Sequence, residues 1–121
     1  MKALIIVDVQ NDFMPTGALP VPNGDEVVPA INAEMKNNYD LIVATQDWHP
    51  ANHKSFASNH QGKKPFEVIK LGGIDQILWT DHCVQGSFGA ELHKDLDIAP
   101  IAAVFRKGMN PEVDSYSAFF D

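Results

Sequence analysis

Ala3-Leu4-Ile5-Ile6-Val7-Asp8 is an unbroken apolar run closed by a carboxylate. A run without polar alternation is what a strand shows when both faces of its sheet are covered, as in parallel α/β sheets. Two more runs of this kind lie at residues 41–45 and 101–105, the second closing at Arg106 and Lys107. Between the first two, Val27, Ile31 and Met35 recur at intervals of four, the spacing of one helical face. Asn23 or Asp25 is the expected N-cap, and Asn37 and Asn38 end the helix. Pro29 sits close enough to the start for its missing N–H to cost little. Residues 11–23 carry Pro15, Gly17, Pro20 and Pro22 and read as a turn-rich loop. Residues 50–100 read mostly as loop, with short apolar pieces at 66–71 and 74–79; irregular chain of that length is usually functional. There is no internal repeat and no low-complexity segment. The class is α/β.

Composition narrows the partners. At 121 residues the chain fits one small domain, and an apolar fraction of 45% is ample for a packed core. A formal charge of −7 argues against nucleic acid and against anionic membrane surfaces. No apolar run approaches the roughly 18 residues of a membrane span. The first residues resemble the apolar part of a signal peptide, but Asp8 and Asp12 interrupt them and no small-residue cleavage site follows. The single cysteine excludes an intramolecular disulfide and fits a reducing, cytoplasmic setting.

Chemistry concentrates just after the second run, in Thr45-Gln46-Asp47-Trp48-His49-Pro50-Ala51-Asn52-His53. An acid and two imidazoles within seven residues, straight after a strand, is how a sheet edge presents divalent-metal ligands. His82, in Trp79-Thr80-Asp81-His82-Cys83, offers a further ligand from a distant loop. Asp-x-His with a remote histidine suits one Zn, Fe or Mn ion that keeps positions open for water or substrate. Any one of these histidines could be an ordinary loop residue; the set points to metal. Asp8, Asp47 and Lys107 stand at or just beyond the C-terminal ends of the three runs, the edge where open parallel sheets bind ligands. A carboxylate and an ammonium meeting there suit a general base beside an electrostatic stabiliser, or a structural salt bridge. The residues alone leave both open.

Four stretches carry a resemblance: residues 3–13 (ALIIVDVQNDF), 45–58 (TQDWHPANHKSFAS), 82–93 (HCVQGSFGAELH) and 105–121 (FRKGMNPEVDSYSAFFD). In this order they resemble the nicotinamidase/pyrazinamidase family of isochorismatase-like cysteine hydrolases, from Lys2 to Asp121. The resemblance implies a three-layer α/β/α sandwich around a parallel, Rossmann-like sheet. It implies hydrolysis of nicotinamide to nicotinate and ammonia, with pyrazinamide as a common second substrate, and a place in NAD salvage. Position by position, Asp8 matches the catalytic acid/base and Lys107 the catalytic lysine. Asp47, His49 and His82 match the metal ligands, and His53 a histidine that ligates in some members only. Phe13 and Trp79, with Leu19 beside them, match the walls around the pyridine ring.

The family's nucleophile is a cysteine that follows the catalytic lysine, and no cysteine follows Lys107 here. Cys83 is set aside because it precedes Lys107, lies in the family's metal-ligand loop, and as a thiolate beside His82 would tend to become a ligand. It reads instead as a small buried apolar residue. The expectation is therefore that residues 1–121 are the N-terminal portion of one hydrolase domain, with the nucleophile beyond them. They would be a piece of a longer enzyme, or a half-domain completed by another chain, since an open sheet edge favours pairing over a free monomer. Three rival readings remain. An aspartyl-phosphate enzyme would want an acid where Gln10 stands. A related amidase with another substrate would often lack the metal residues, and a non-catalytic metal- or ligand-binding remnant would not need the thiol.

Overall fold

A three-stranded parallel sheet organises the protein in the computed structural model, which describes residues 1–119. The elements run β1 (Ala3–Val7), α1 (Val27–Glu34), β2 (Leu41–Asp47), β3 (Val68–Leu71), β4 (Ile74–Ile77) and β5 (Ala103–Lys107). The sheet order is β1-β2-β5, and the α/β class expected from the apolar runs holds. Register sets Ile5 opposite Val43, Val7 opposite Thr45, and Asp47 opposite Lys107. β3 and β4 form a separate antiparallel hairpin through Gly72 and Gly73, both at positive φ, the conformation of a two-residue primed turn.

Three expectations need correction. The third strand begins at Ala103, not Ile101, and runs through Arg106 and Lys107. Its charged end is accommodated because the Arg106 guanidinium lies 3.8 Å from the centroid of the Trp48 ring and Lys107 meets two carboxylates. Of the expected stripe, Met35 is buried and Ile31 is partly buried against the core, but Val28 takes the place of Val27, which is 43% exposed. Neither Asn23 nor Asp25 caps α1: Asn23, in the left-handed region, precedes a short 3₁₀ turn at Gly24–Glu26 that leads into the helix.

The core lies on one face of the sheet, where Ile6, Ile42 and Ala44 meet Val28, Met35, Met14 and Leu96. The opposite face carries Ile5, Val7 and Phe105, all exposed. Among the described residues, no helix is long and apolar enough to cross a membrane.

Candidate functional site

β1, β2 and β5 all point their C-terminal ends at one cavity of about 260 Å³. Asp47 and Lys107 are the last residues of their strands, and Asp8 is the first beyond β1. The chain leaves β1 through Asp8 at φ 53, a left-handed turn that swings its carboxylate across the end of β2. There Thr45 Oγ1 donates to Asp8 Oδ1 at 2.6 Å. Lys107 Nζ stands between two acids, 2.9 Å from Asp8 Oδ2 and in direct contact with Asp47 Oδ1. Burial alone would lower the Lys107 pKa, but the hydrogen bonds and charges of Asp47 and Asp8 outweigh it and hold the ammonium above its ordinary value. Burial also opposes the charge on Asp47, and His49 with Lys107 outweighs it, so that this carboxyl lies below its usual range.

Asp47, His49 and His82 offer ligand atoms that all lie within 4.8 Å of one another, and all three residues are buried. Each imidazole is oriented from behind. His49 Nδ1–H donates to the Gly108 carbonyl at 2.7 Å and His82 Nδ1–H to the Thr80 carbonyl at 2.8 Å. Both rings are thereby held in the tautomer that leaves Nε2 basic and aimed at the shared point, the arrangement usual for metal-binding histidines. His49 Nε2 lies 3.5 Å from Asp47 Oδ2. Phe56, fully buried, packs against His49 at 5.6 Å and His82 at 5.4 Å between ring centroids and keeps water from behind them. An oxygen and two imidazole nitrogens converging from buried residues fit a small divalent cation. Burial lowers the His82 pKa; for His49 burial acts the same way, but Asp47 outweighs it and the ring is raised.

His53 is not brought to that point. Its Nδ1 accepts from Ser55 N–H at 3.0 Å and its Nε2–H donates to the Val113 carbonyl at 3.1 Å, so both ring nitrogens are engaged. The ring packs edge-on against His49, centroids 4.7 Å apart. Phe13, Leu19 and Trp79 do line the cavity with Asp8, Lys107 and the ligand group. Cys83 does not: it is fully buried at φ 48, and burial drives its thiol far above its ordinary pKa.

The cavity also has walls that the sequence reading missed, namely Asp114, Ser115 and Tyr116. Asp114 accepts from Trp79 Nε1 at 3.1 Å and from Gln76 Nε2 at 2.7 Å, which fixes the indole plane. Gly108 was a legible signal, since a glycine directly after a strand end often marks a left-handed turn. Its φ is +69, and a Cβ there would strike the His49 ring.

A parallel sheet whose strand ends carry a metal-type Asp/His/His group beside an Asp–Lys pair has the layout of the ligand sites that open α/β sheets form at their strand ends. Comparison with known proteins makes this particular. The chain is homologous to nicotinamidases. It is 53% identical to the nicotinamidase of Acinetobacter baylyi over 119 residues, which are 98% of this chain and 55% of that protein. The fold superposes on an Acinetobacter baumanii nicotinamidase/pyrazinamidase with a TM-score of 0.93 at 50% identity, covering 98% of this chain and 56% of the other. A Pyrococcus horikoshii pyrazinamidase solved in complex with zinc gives a TM-score of 0.73 at 41% identity, over 98% and 57%. The chain thus spans a little over half the length of these relatives. No family profile matches it.

Proposed function

We propose that this chain supplies the metal centre, the ring pocket and two of the three catalytic groups of an enzyme that hydrolyses nicotinamide to nicotinate and ammonia, and pyrazinamide alike. The observation that carries the reading is the position of Lys107 Nζ between Asp8 and Asp47, in one cavity with His49, His82, Phe13 and Trp79. The zinc-bound pyrazinamidase of similar fold supports a divalent ion here, with Zn, Fe and Mn all compatible with the donors.

Asp47, His49 and His82 would hold the ion, and His53 would support His49 from the side. When bound, the ion is a Lewis acid that can accept the pyridine nitrogen or polarise a water. Phe13, Leu19 and Trp79 sandwich the flat ring, which leaves the carboxamide toward Asp8 and Lys107. Asp8 takes the proton of the attacking thiol at its carboxylate and later passes it to the departing ammonia. Lys107 stays protonated between its acids and stabilises the thiolate and the charge that develops on the carbonyl oxygen. The thiol would come from outside these residues, from a further segment of the polypeptide or from a partner chain, because Cys83 is fully buried and does not line the cavity. A single reduced thiol and an acidic surface fit the cytoplasm.

The test is chromatographic detection of nicotinate from nicotinamide with the full-length gene product. Turnover that disappears on chelation and returns with Zn, Fe or Mn is expected; a full-length protein that binds metal yet leaves nicotinamide intact would refute the proposal.

A further inference from the structure

Gln10 is fully buried and lies outside the cavity, yet its side chain touches the metal-type group through the backbone. β1 ends at Val7, so at the level of Asp47 the β1 side of β2 has no strand residue to pair with. The Gln10 amide takes that place. Asp47 N–H donates to Gln10 Oε1 at 2.9 Å, and Gln10 Nε2 donates to the Asp47 carbonyl at 2.8 Å. The two bonds close a ring like a narrow pair in an antiparallel ladder, made by a side chain. The other Nε2 proton goes to the Ala90 carbonyl at 2.8 Å, which also accepts from Gln46 Nε2 at 2.8 Å. One amide therefore ties the end of β2, which carries Asp47, to the loop that runs from His82 to Ala90.

We propose that Gln10 is a positioning residue for the metal centre: by mimicking a strand partner it fixes the Asp47 backbone, and so the direction of its carboxylate relative to His49 and His82. The inference rests on the metal reading of that group. A metal-binding carboxylate needs its orientation set before the ion arrives, and residues behind the ligands commonly govern affinity by 10- to 100-fold. Two Nε2 donors and one Oε1 acceptor match the three backbone groups available, which glutamate and methionine cannot do. A glutamate side chain at this position would face two carbonyls with oxygens of its own; a methionine would leave the Asp47 N–H and carbonyl unpaired, while the Ala90 carbonyl keeps its bond from Gln46.

The experiment uses the full-length protein with Gln10→Met, Gln10→Glu and, as a control for general loosening, Leu96→Ala, a core truncation of a residue that makes none of the Gln10 side-chain bonds. Zn²⁺ affinity is measured by competition with a chromophoric chelator, and the ligand field by the visible absorption of the Co²⁺-loaded protein. Either Gln10 variant should bind Zn²⁺ about 10- to 100-fold more weakly and show an altered Co²⁺ spectrum at saturation, while Leu96→Ala keeps both wild-type values despite a lower melting temperature. Wild-type affinity and spectrum in a folded Gln10 variant would overturn the proposal, as would an equal loss in Leu96→Ala. Failure of both Gln10 variants to fold would make the residue a requirement of the fold and overturn it too. Absence of metal binding by the wild-type protein would instead remove the metal centre itself.

Discussion

At the scale of single residues, Asp8 and His49 separate the two chemistries. Asp8 bonds Thr45 and Lys107 without belonging to the ligand group, so Asp8→Asn should leave metal and substrate binding nearly intact. It should lower kcat by roughly 10²- to 10⁴-fold, the usual contribution of a general acid–base. Near-normal turnover in that variant would make the carboxylate structural. His49→Ala removes one of three ligand groups and should abolish stoichiometric metal on elemental analysis; retention of a full equivalent would sink the assignment. Protons also compete for His49 Nε2. Without metal the ring's pKa is raised above its ordinary value, so the proton is held to higher pH and leaves as pH rises through that raised value. Zn²⁺ affinity should therefore climb with pH from 6 to 8, by up to about tenfold per unit per competing proton. A flat profile in chelator competition would contradict the tautomer and ligand assignment.

At the scale of elements, the strands were legible because parallel strands are apolar throughout, and their ends fell close to where pattern placed them. The pattern stopped β5 two residues early because Arg106 and Lys107 look like a strand terminus, whereas Trp48 and the two acids absorb their charges. The β3–β4 hairpin was legible only as two apolar pieces, although Gly72-Gly73 between them was its turn signal. Asp47, His49 and His82 could be listed by residue type; Gln10, Phe56 and Asp114 could not, because their parts arise from contacts with residues far along the chain. The turn that follows β5 shows the same dependence. Gly108→Ala forces a side chain into the left-handed region, costing about 1–2 kcal/mol, and into the space of the His49 ring. Urea unfolding should show at least that loss, accompanied by weaker metal binding. Unchanged stability and affinity would mean that the turn does not brace His49.

For the molecule as a whole, the face bearing Ile5, Val7 and Phe105 is the outstanding feature, with Val7 and Phe105 each 58% exposed. Parallel sheets are ordinarily covered on both faces, and the relatives are nearly twice as long as this chain. A polypeptide of residues 1–121 by itself should expose this patch, bind anilinonaphthalene sulfonate and self-associate, and Phe105→Ser should reduce both effects; a monodisperse, dye-silent polypeptide would show the face to be harmless. The same division of labour decides the central claim, that these residues carry the metal, the acid and the lysine but not the nucleophile. The most direct measurement is steady-state ammonia release from nicotinamide, made with metal-loaded full-length protein, with its Cys83→Ala variant, and with residues 1–121 alone. Turnover by the first two at equal rates, and none by the third, is the predicted result. Turnover by residues 1–121 that Cys83→Ala abolishes would contradict it and make the buried thiol the nucleophile.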